Sequence, residues 1–167
     1  LCPWDFLQMK LAASYLALST AILLTACGGE NSAIAPVSAA SLRGPAGDYP
    51  MVLGDPFIVD GVTYTPADIM NYDSVGYAEP AEGDGIIGAH RTLPLPSYVE
   101  VTSLDTGRTI LVRLTQRGPM QGGNLLALSP QAWAQLGQTP AMRIPVRVRR
   151  VNPPEAERAL LRAGAQV

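Results

Sequence analysis

Few residues in this chain of 167 are of a type that could do chemistry, and their spacing narrows what that chemistry is. Cys27 follows Leu24-Thr25-Ala26 and precedes Gly28. Small residues before a cysteine, at the end of an apolar run, form the pattern at which a lipid is attached to the thiol and the chain is cut before it. The run itself, Leu11 to Leu24, opens after Met9-Lys10. It is about the length of a signal-peptide core and falls short of the ~20 residues a spanning helix needs. The alternatives are a plain secretory signal with an incidental cysteine, or a short helical anchor. On the lipidated reading, residues 1–26 are a signal peptide, with residues 1–8 an artefact of the gene start ahead of Met9. Cys2 is then lost and Cys27 consumed, so the mature chain has no thiol for a disulfide, a metal or a nucleophile. One acyl chain anchors marginally, whereas two or three hold stably. Glycine rather than aspartate after the cysteine points to the outer membrane, with the protein lipid-anchored and facing the periplasm.

His90 is the one histidine. With no thiol and no clustered carboxylates beside it, a metal site is not expected. Glycine-rich phosphate loops, nucleophile elbows and zinc spacings are absent from the sequence, and no cofactor is expected. His90 reads either as a groove residue that touches a ligand or as a hydrogen-bonded residue that fixes the loop before the next strand. Glu79, Glu82 and Asp84 are the carboxylates nearest to it upstream. Thr115-Gln116-Arg117-Gly118-Pro119 offers a polar floor for sugar hydroxyls; on the alternative reading Gly-Pro sets a crossover and Arg117 is a buried fastener. Arg147, Arg149 and Arg150 read as a solvated strand face. The net charge of −2 supplies no basic field to recruit nucleic acid or anionic lipid, so no nucleic-acid partner is expected.

The elements that must position these residues are mostly strands. Apolar residues make up 47% and charged residues 16%, and 15 prolines with 16 glycines favour a turn-rich body over a helical bundle. Glu30 to about Pro50 is rich in Ala, Ser, Gly and Pro without an apolar period, and residues 27–50 read as a lipidated flexible tether. Phe57-Ile58-Val59 and Val62-Thr63-Tyr64 flank Asp60-Gly61, a hairpin signal. Residues 79–88 read as a loop. Tyr98 to Thr102 alternates, Asp105-Thr106-Gly107 turns, and Arg108 to Leu114 alternates again with Ile110, Val112 and Leu114 on one face. Ser129-Pro130 starts a short helix through Ala132, Trp133 and Leu136, stopped at Gly137. Ile144 to Val151 is a last strand, and Glu155 to Ala163 has the makings of a second helix. Five or six short strands with so little helix suggest a small closed barrel, which has no free edges.

The run from Gly88 through His90-Arg91-Thr92-Leu93-Pro94 to Val99, the stretch Asp105 to Arg113, the turn Arg117-Gly118-Pro119 and the helix start at Leu128-Ser129 together resemble the rare lipoprotein A family. The resemblance covers residues 51–152 and implies a six-stranded double-psi β-barrel with one or two short helices. The family's activity is lytic cleavage of peptidoglycan glycan strands stripped of stem peptides. A carboxylic acid protonates the glycosidic oxygen, and the sugar's own 6-hydroxyl attacks the anomeric carbon. Two departures bear on that activity. The family pattern reads Asn-Asp-Arg-Gly-Pro with the aspartate catalytic, and here Gln116 holds its place. The family also carries a segment with Ser-Trp-Tyr-Gly and Thr-Ala-Asn-Gly-Glu, which brings a second carboxylate; here Gly76-Tyr77-Ala78 runs almost directly into Gly83-Asp84-Gly85. The resemblance therefore implies Gln116 and His90 as equivalents of catalytic positions, with Arg117, Thr115, Glu82 and Asp84 around a glycan groove. The expected role is that of an outer-membrane lipoprotein binding glycan strands at the cell wall or division site with catalysis lost or reduced. The alternative is an active endolytic transglycosylase using a displaced acid such as Glu82 or Asp84. Expected partners are glycan strands, the membrane through the lipid anchor, and cell-division proteins. Residues 153–167 read as a C-terminal tail or a linker toward the peptidoglycan-binding SPOR domain that many relatives carry.

Overall fold

The computed structural model describes residues 47–139 and 143–167, all within one compact unit. The segment read as a signal peptide, Cys27 and most of the segment read as a tether lie outside the described residues. Eight strands and two helices follow in order: β1 Phe57–Val59, β2 Val62–Tyr64, β3 Asp73–Pro80, β4 Ile87–His90, β5 Ser97–Ser103, β6 Thr109–Gln116, β7 Leu126–Leu128, α1 Pro130–Gln135, β8 Ile144–Val151 and α2 Glu155–Arg162. Six of the strands close a barrel in the order β3-β7-β4-β6-β5-β8. Two of its pairings, β3 with β7 and β4 with β6, are parallel, and the others are antiparallel. A closed, mixed, six-stranded barrel of this kind is consistent with the double-psi β-barrel expected from the sequence.

The alternating strands form because one face of each fills the barrel. Val99 and Val101 of β5, Val112 and Leu114 of β6, and Val146 and Val148 of β8 are fully buried. Leu126 and Leu128 of β7 join them, and Trp133 of α1 closes the core from outside the strands. β4 and β7 are buried along nearly their whole length, so neither shows the period of a half-exposed strand. Gly88 is where β4 must come closest to β7: a side-chain carbon there would sit 2.9 Å from the Ala127 carbonyl oxygen. The β1–β2 hairpin turns through Asp60 and Gly61, both with positive φ, but it forms a separate two-stranded sheet and not part of the barrel wall. Ser129 caps α1 by accepting from the Ala132 N–H, and proline occupies the first turn.

Three readings from sequence are corrected here. Residues 79–88 are not one loop, because β3 runs to Pro80 and β4 begins at Ile87, leaving only residues 81–86 as the connection. Arg150 does not share a solvated face with Arg147 and Arg149. Its side chain is buried and paired to Asp68 at 2.5 Å, since adjacent residues of a strand must face opposite ways. The end of the segment read as flexible tether is fastened: the Asp48 carboxylate accepts from the Tyr98 hydroxyl at 2.7 Å, lies 3.5 Å from Arg113 Nε, and pairs with Arg162 of α2.

Strand polarity sorts the connections into two ends. His90 ends β4, Gln116 ends β6 and Val151 ends β8, while Asp73, Ser97 and Leu126 begin β3, β5 and β7. All six termini gather at one end of the barrel. The β3–β4 turn, the β5–β6 turn and α1 leave from the other.

Candidate functional site

The barrel end that holds Gln116 is organised by two buried arginines. Arg91 directly follows β4. Its Nε donates to the Pro119 carbonyl at 2.6 Å, Nη1 to the Asn124 carbonyl at 3.0 Å, and Nη2 to the carbonyls of Gly122 and Gln121 at 2.6 and 3.4 Å. A remaining Nη1 proton reaches the Tyr64 hydroxyl at 3.4 Å, and the guanidinium lies 4.9 Å from the centre of that ring. All five donors of Arg91 are thus spent on holding the 119–124 loop and the hairpin. Arg117 directly follows β6. It donates to the carbonyls of Leu93 and Leu53, and more loosely to those of Arg91 at 3.4 Å and Val52 at 3.2 Å. Among the described residues, neither guanidinium is paired with a carboxylate. Backbone carbonyl dipoles offset the desolvation of both cations. Burial lowers the pKa of Arg117 to about 10, which still leaves it charged at neutral pH.

His90 is 2% exposed and feels the charge of both arginines. Its Nδ1 accepts from the backbone N–H groups of Thr92 at 3.2 Å and Leu93 at 3.1 Å. An acceptor carries no proton, so the hydrogen sits on Nε2 and points at the Tyr72 hydroxyl 2.9 Å away. Burial, then the charge of Arg117, then that of Arg91, lowers the His90 pKa to about 3. At neutral pH the ring is uncharged, with both nitrogens engaged in hydrogen bonds. The register of β4 against β6 shifts between Gly88 and Ala89, just before His90.

Gln116 is half-buried at the end of β6, opposite Ala89 of β4. Thr115 is half-buried beside it, and its Oγ1 is buried without a hydrogen-bond partner among the described residues. The structure therefore brings Gln116, Thr115, Arg117 and His90 to one end of the barrel. It does not bring Glu82 and Asp84 there. Both are exposed in the β3–β4 connection, which leaves the opposite end, where the Gly85 carbonyl accepts from Ser129 at 2.7 Å. Glu79 is the acid that reaches toward the site loop: its Oε2 accepts from Asn124 Nδ2 at 2.5 Å. Among the described residues, no carboxylate hydrogen-bonds to His90 or Gln116.

Sequence reasoning missed Tyr72, Asn124 and the saturation of Arg91. Arg91 stands inside the His-Arg-Thr-Leu-Pro run and was visible as a cation there, but its partners are main-chain atoms and leave no mark in the side-chain pattern. Tyr72 carries no local signal at all. Among the described residues, no group of histidine, cysteine and carboxylate side chains is placed to hold a metal ion, and no helix is long and apolar enough to cross a membrane.

Residues 82–148 match the family described as lytic transglycolase. The endolytic peptidoglycan transglycosylase RlpA of Pseudomonas aeruginosa (strain UCBPP-PA14) is 36% identical over 118 residues, which cover 61% of this chain and 35% of that protein. The protein of the same name from Neisseria meningitidis serogroup B is 31% identical over 143 residues, covering 73% of this chain and 57% of its own length. The one from Vibrio cholerae is 43% identical over 60 residues, covering 36% of this chain and 23% of its own. The chain thus spans about a third of the Pseudomonas relative and over half of the Neisseria one. The closed barrel, the order of motifs along it and these matches together place the chain in the RlpA-like family of lytic transglycosylase-related proteins.

Proposed function

We propose that this domain holds peptidoglycan glycan strands at the barrel end formed by Gln116, Thr115 and the 119–124 loop, and that it does not cut them. The observation that carries the reading is the chemistry of that end. Cleavage needs a group that can lend a proton to the glycosidic oxygen. The residue that the family resemblance puts at the catalytic position is the amide Gln116, and His90 is uncharged at neutral pH with its one ring proton directed at Tyr72. The β3–β4 connection is short, residues 81–86, and the acid that reaches the site loop is Glu79 of β3, whose carboxylate is engaged by Asn124. What remains is the half-buried amide of Gln116, which suits sugar hydroxyl groups.

Lipidation at Cys27, placement on the periplasmic side of the outer membrane and a role at the division site belong to the same proposal. They are supported by the lipobox pattern and by the family. A tether of about twenty residues at ~3.5 Å each would let the barrel reach several nanometres from the lipid surface.

Glu79 favours a second reading as a weak transglycosylase, because its carboxylate reaches the loop that Arg91 clamps. Both readings are separated by incubating the full chain with stem-free glycan strands. Co-sedimentation of intact strands supports holding. Release of anhydro-ended fragments that stops on Glu79→Gln would support the enzyme.

A further inference from the structure

A second concavity lies at the same barrel end, between the start of β5, the end of β8 and the arm of residues 48–51. It encloses about 120 Å³. That is well below the roughly 300 Å³ at which pockets begin to engulf a drug-sized ligand, so it suits a compact group of a few heavy atoms. Met51, Met70 and Pro96 supply apolar wall, and Tyr49, 70% exposed, stands at its rim. Gln116 is not part of its lining.

The charges around it do not balance. Asp48 is shared by Arg113 and Arg162, Glu155 by Arg162 and Arg158, and Asp68 is held by Arg150. Among the described residues, these four cations share three carboxylates. Asp48, the carboxylate in the lining, also accepts from the Tyr98 hydroxyl, so its charge is met from several sides. Arg150 is the cation with donors to spare. It lines the concavity, continues the buried row of Ile144, Val146 and Val148 along β8, and has a side chain only 5% exposed. Its Nη1 is spent on Asp68 at 2.5 Å. Nε and Nη2 have no hydrogen-bond partner among the described residues, yet neither is sealed from solvent. Those two nitrogens form the flat edge that grips a carboxylate by parallel hydrogen bonds. The protein uses this edge twice elsewhere. Arg147 holds both oxygens of Asp73 with Nε at 2.8 Å and Nη2 at 2.5 Å, and Arg149 directs the same pair at Glu100. Among the described residues, no carboxylate meets that edge on Arg150.

We propose that the Nε–Nη2 edge of Arg150 receives a compact carboxylate in this concavity, with a short apolar tail against Met51 and Met70. One negative charge cancels the surplus of one cation, whereas a phosphate group brings about 1.5 to 2 charges. A guanidinium edge with little water around it attracts an anion more strongly than an exposed one, because the local dielectric is lower. The small volume limits the tail to a few carbons. Free short-chain acids share this chemistry with the C-terminal carboxylate of a peptide whose last residue is small. The site stands independently of the glycan-holding reading.

The test titrates the full chain, in non-ionic detergent micelles at constant ionic strength, and follows the amide NMR signals of residues 49–51 and 150–152. The probes are propionate, propionamide, inorganic phosphate, and acetyl-alanyl-alanine with a free or an amidated C-terminus. Propionate is expected to bind with a Kd below about 10 mM, and propionamide at least about tenfold more weakly, because the charge-assisted pair is lost. Arg150→Lys should weaken propionate about fivefold, since lysine keeps the charge without the fork. Two substitutions at exposed positions guard against a loss of fold. Met70→Trp fills the concavity and should abolish binding. Asp68→Asn raises the surplus to two cations and should tighten binding about threefold at low salt. Tighter binding of the free-terminus peptide than of propionate places the ligand at a chain end, and the reverse order makes it a free acid; either supports the carboxylate site. No binding of either acid, equal affinity for the acids and their amides, tighter binding of phosphate, or indifference to all three substitutions would overturn the proposal.

Discussion

His90 Nε2 lies 2.9 Å from the hydroxyl of Tyr72 while Nδ1 accepts two backbone N–H groups, so the ring is hydrogen-bonded at both nitrogens in its neutral form. A histidine held this way orders the loop from Arg91 to Leu93 and has no proton to exchange near neutral pH. The prediction is that its ring resonances do not titrate between pH 5 and 8, as seen by NMR; an inflection near its ordinary value of ~6.5 would contradict this.

The same pKa shift makes stability depend on pH. In the unfolded chain the ring binds a proton below ~6.5, whereas in the folded protein it does so only below about 3. Its contribution is therefore complete above ~6.5 and is lost as pH falls toward about 3. His90→Gln should flatten the fall in melting temperature across that window. Tyr72→Phe, which leaves the Nε2 proton buried without an acceptor, should cost about 1–3 kcal/mol in denaturant unfolding at pH 7.

Arg117 is expected to be replaceable by no other cation. Lysine carries the charge but lacks the planar fork that reaches Leu93 on one side and Leu53 on the other. Arg117→Lys should lose about 2–4 kcal/mol and should speed hydrogen exchange in residues 52–53 and 93–95. Unchanged exchange there would mean the arm is held by something else.

How much of this was legible beforehand follows from periodicity. β5, β6 and β8 alternate because one face fills the barrel and the other meets solvent, and the alternation is written in Val99, Val101, Val112, Leu114, Val146 and Val148. β4 and β7 are too short and too buried to alternate. β3 is hidden differently, since Val75 and Tyr77 are exposed and Gly76 and Pro80 are poor strand formers, so its apolar residues mark the wrong face. Tyr77 instead lies under Arg143, whose guanidinium is 4.1 Å from its ring centre. At the site, Gln116 could be found because a family pattern expects an acid there. For His90 and Arg117 the sequence left two readings open, and the structure favours the loop-fixing histidine and the buried fastener; the role of Arg91 left no mark, because its partners are mostly main-chain atoms brought together only by closure of the barrel.

Ser129 tests the far end of the barrel. Its hydroxyl donates to the Gly85 carbonyl at 2.7 Å and accepts from the N–H groups of Ile87 and Ala132. Ser129→Ala should cost about 1–2 kcal/mol and leave glycan binding at the Gln116 end untouched. A parallel loss of glycan binding would argue that the two ends are coupled.

The acids of the β3–β4 connection should be spectators. Glu82→Gln with Asp84→Asn is expected to alter neither binding nor strand length, because both residues lie at the end opposite Gln116. Gln116→Asp is expected to create no cutting, since the acid that reaches the site loop, Glu79, is already held by Asn124. Anhydro-ended products from either variant would contradict this placement of the site.

The central claim is that the domain holds glycan without breaking it, and the direct measurement is the reducing-end chemistry of stem-free strands after prolonged incubation with the full chain. Mass spectrometry should find the strands bound, of unchanged length and free of new anhydro ends. New anhydro ends, formed in proportion to protein and absent with Glu79→Gln, would contradict it.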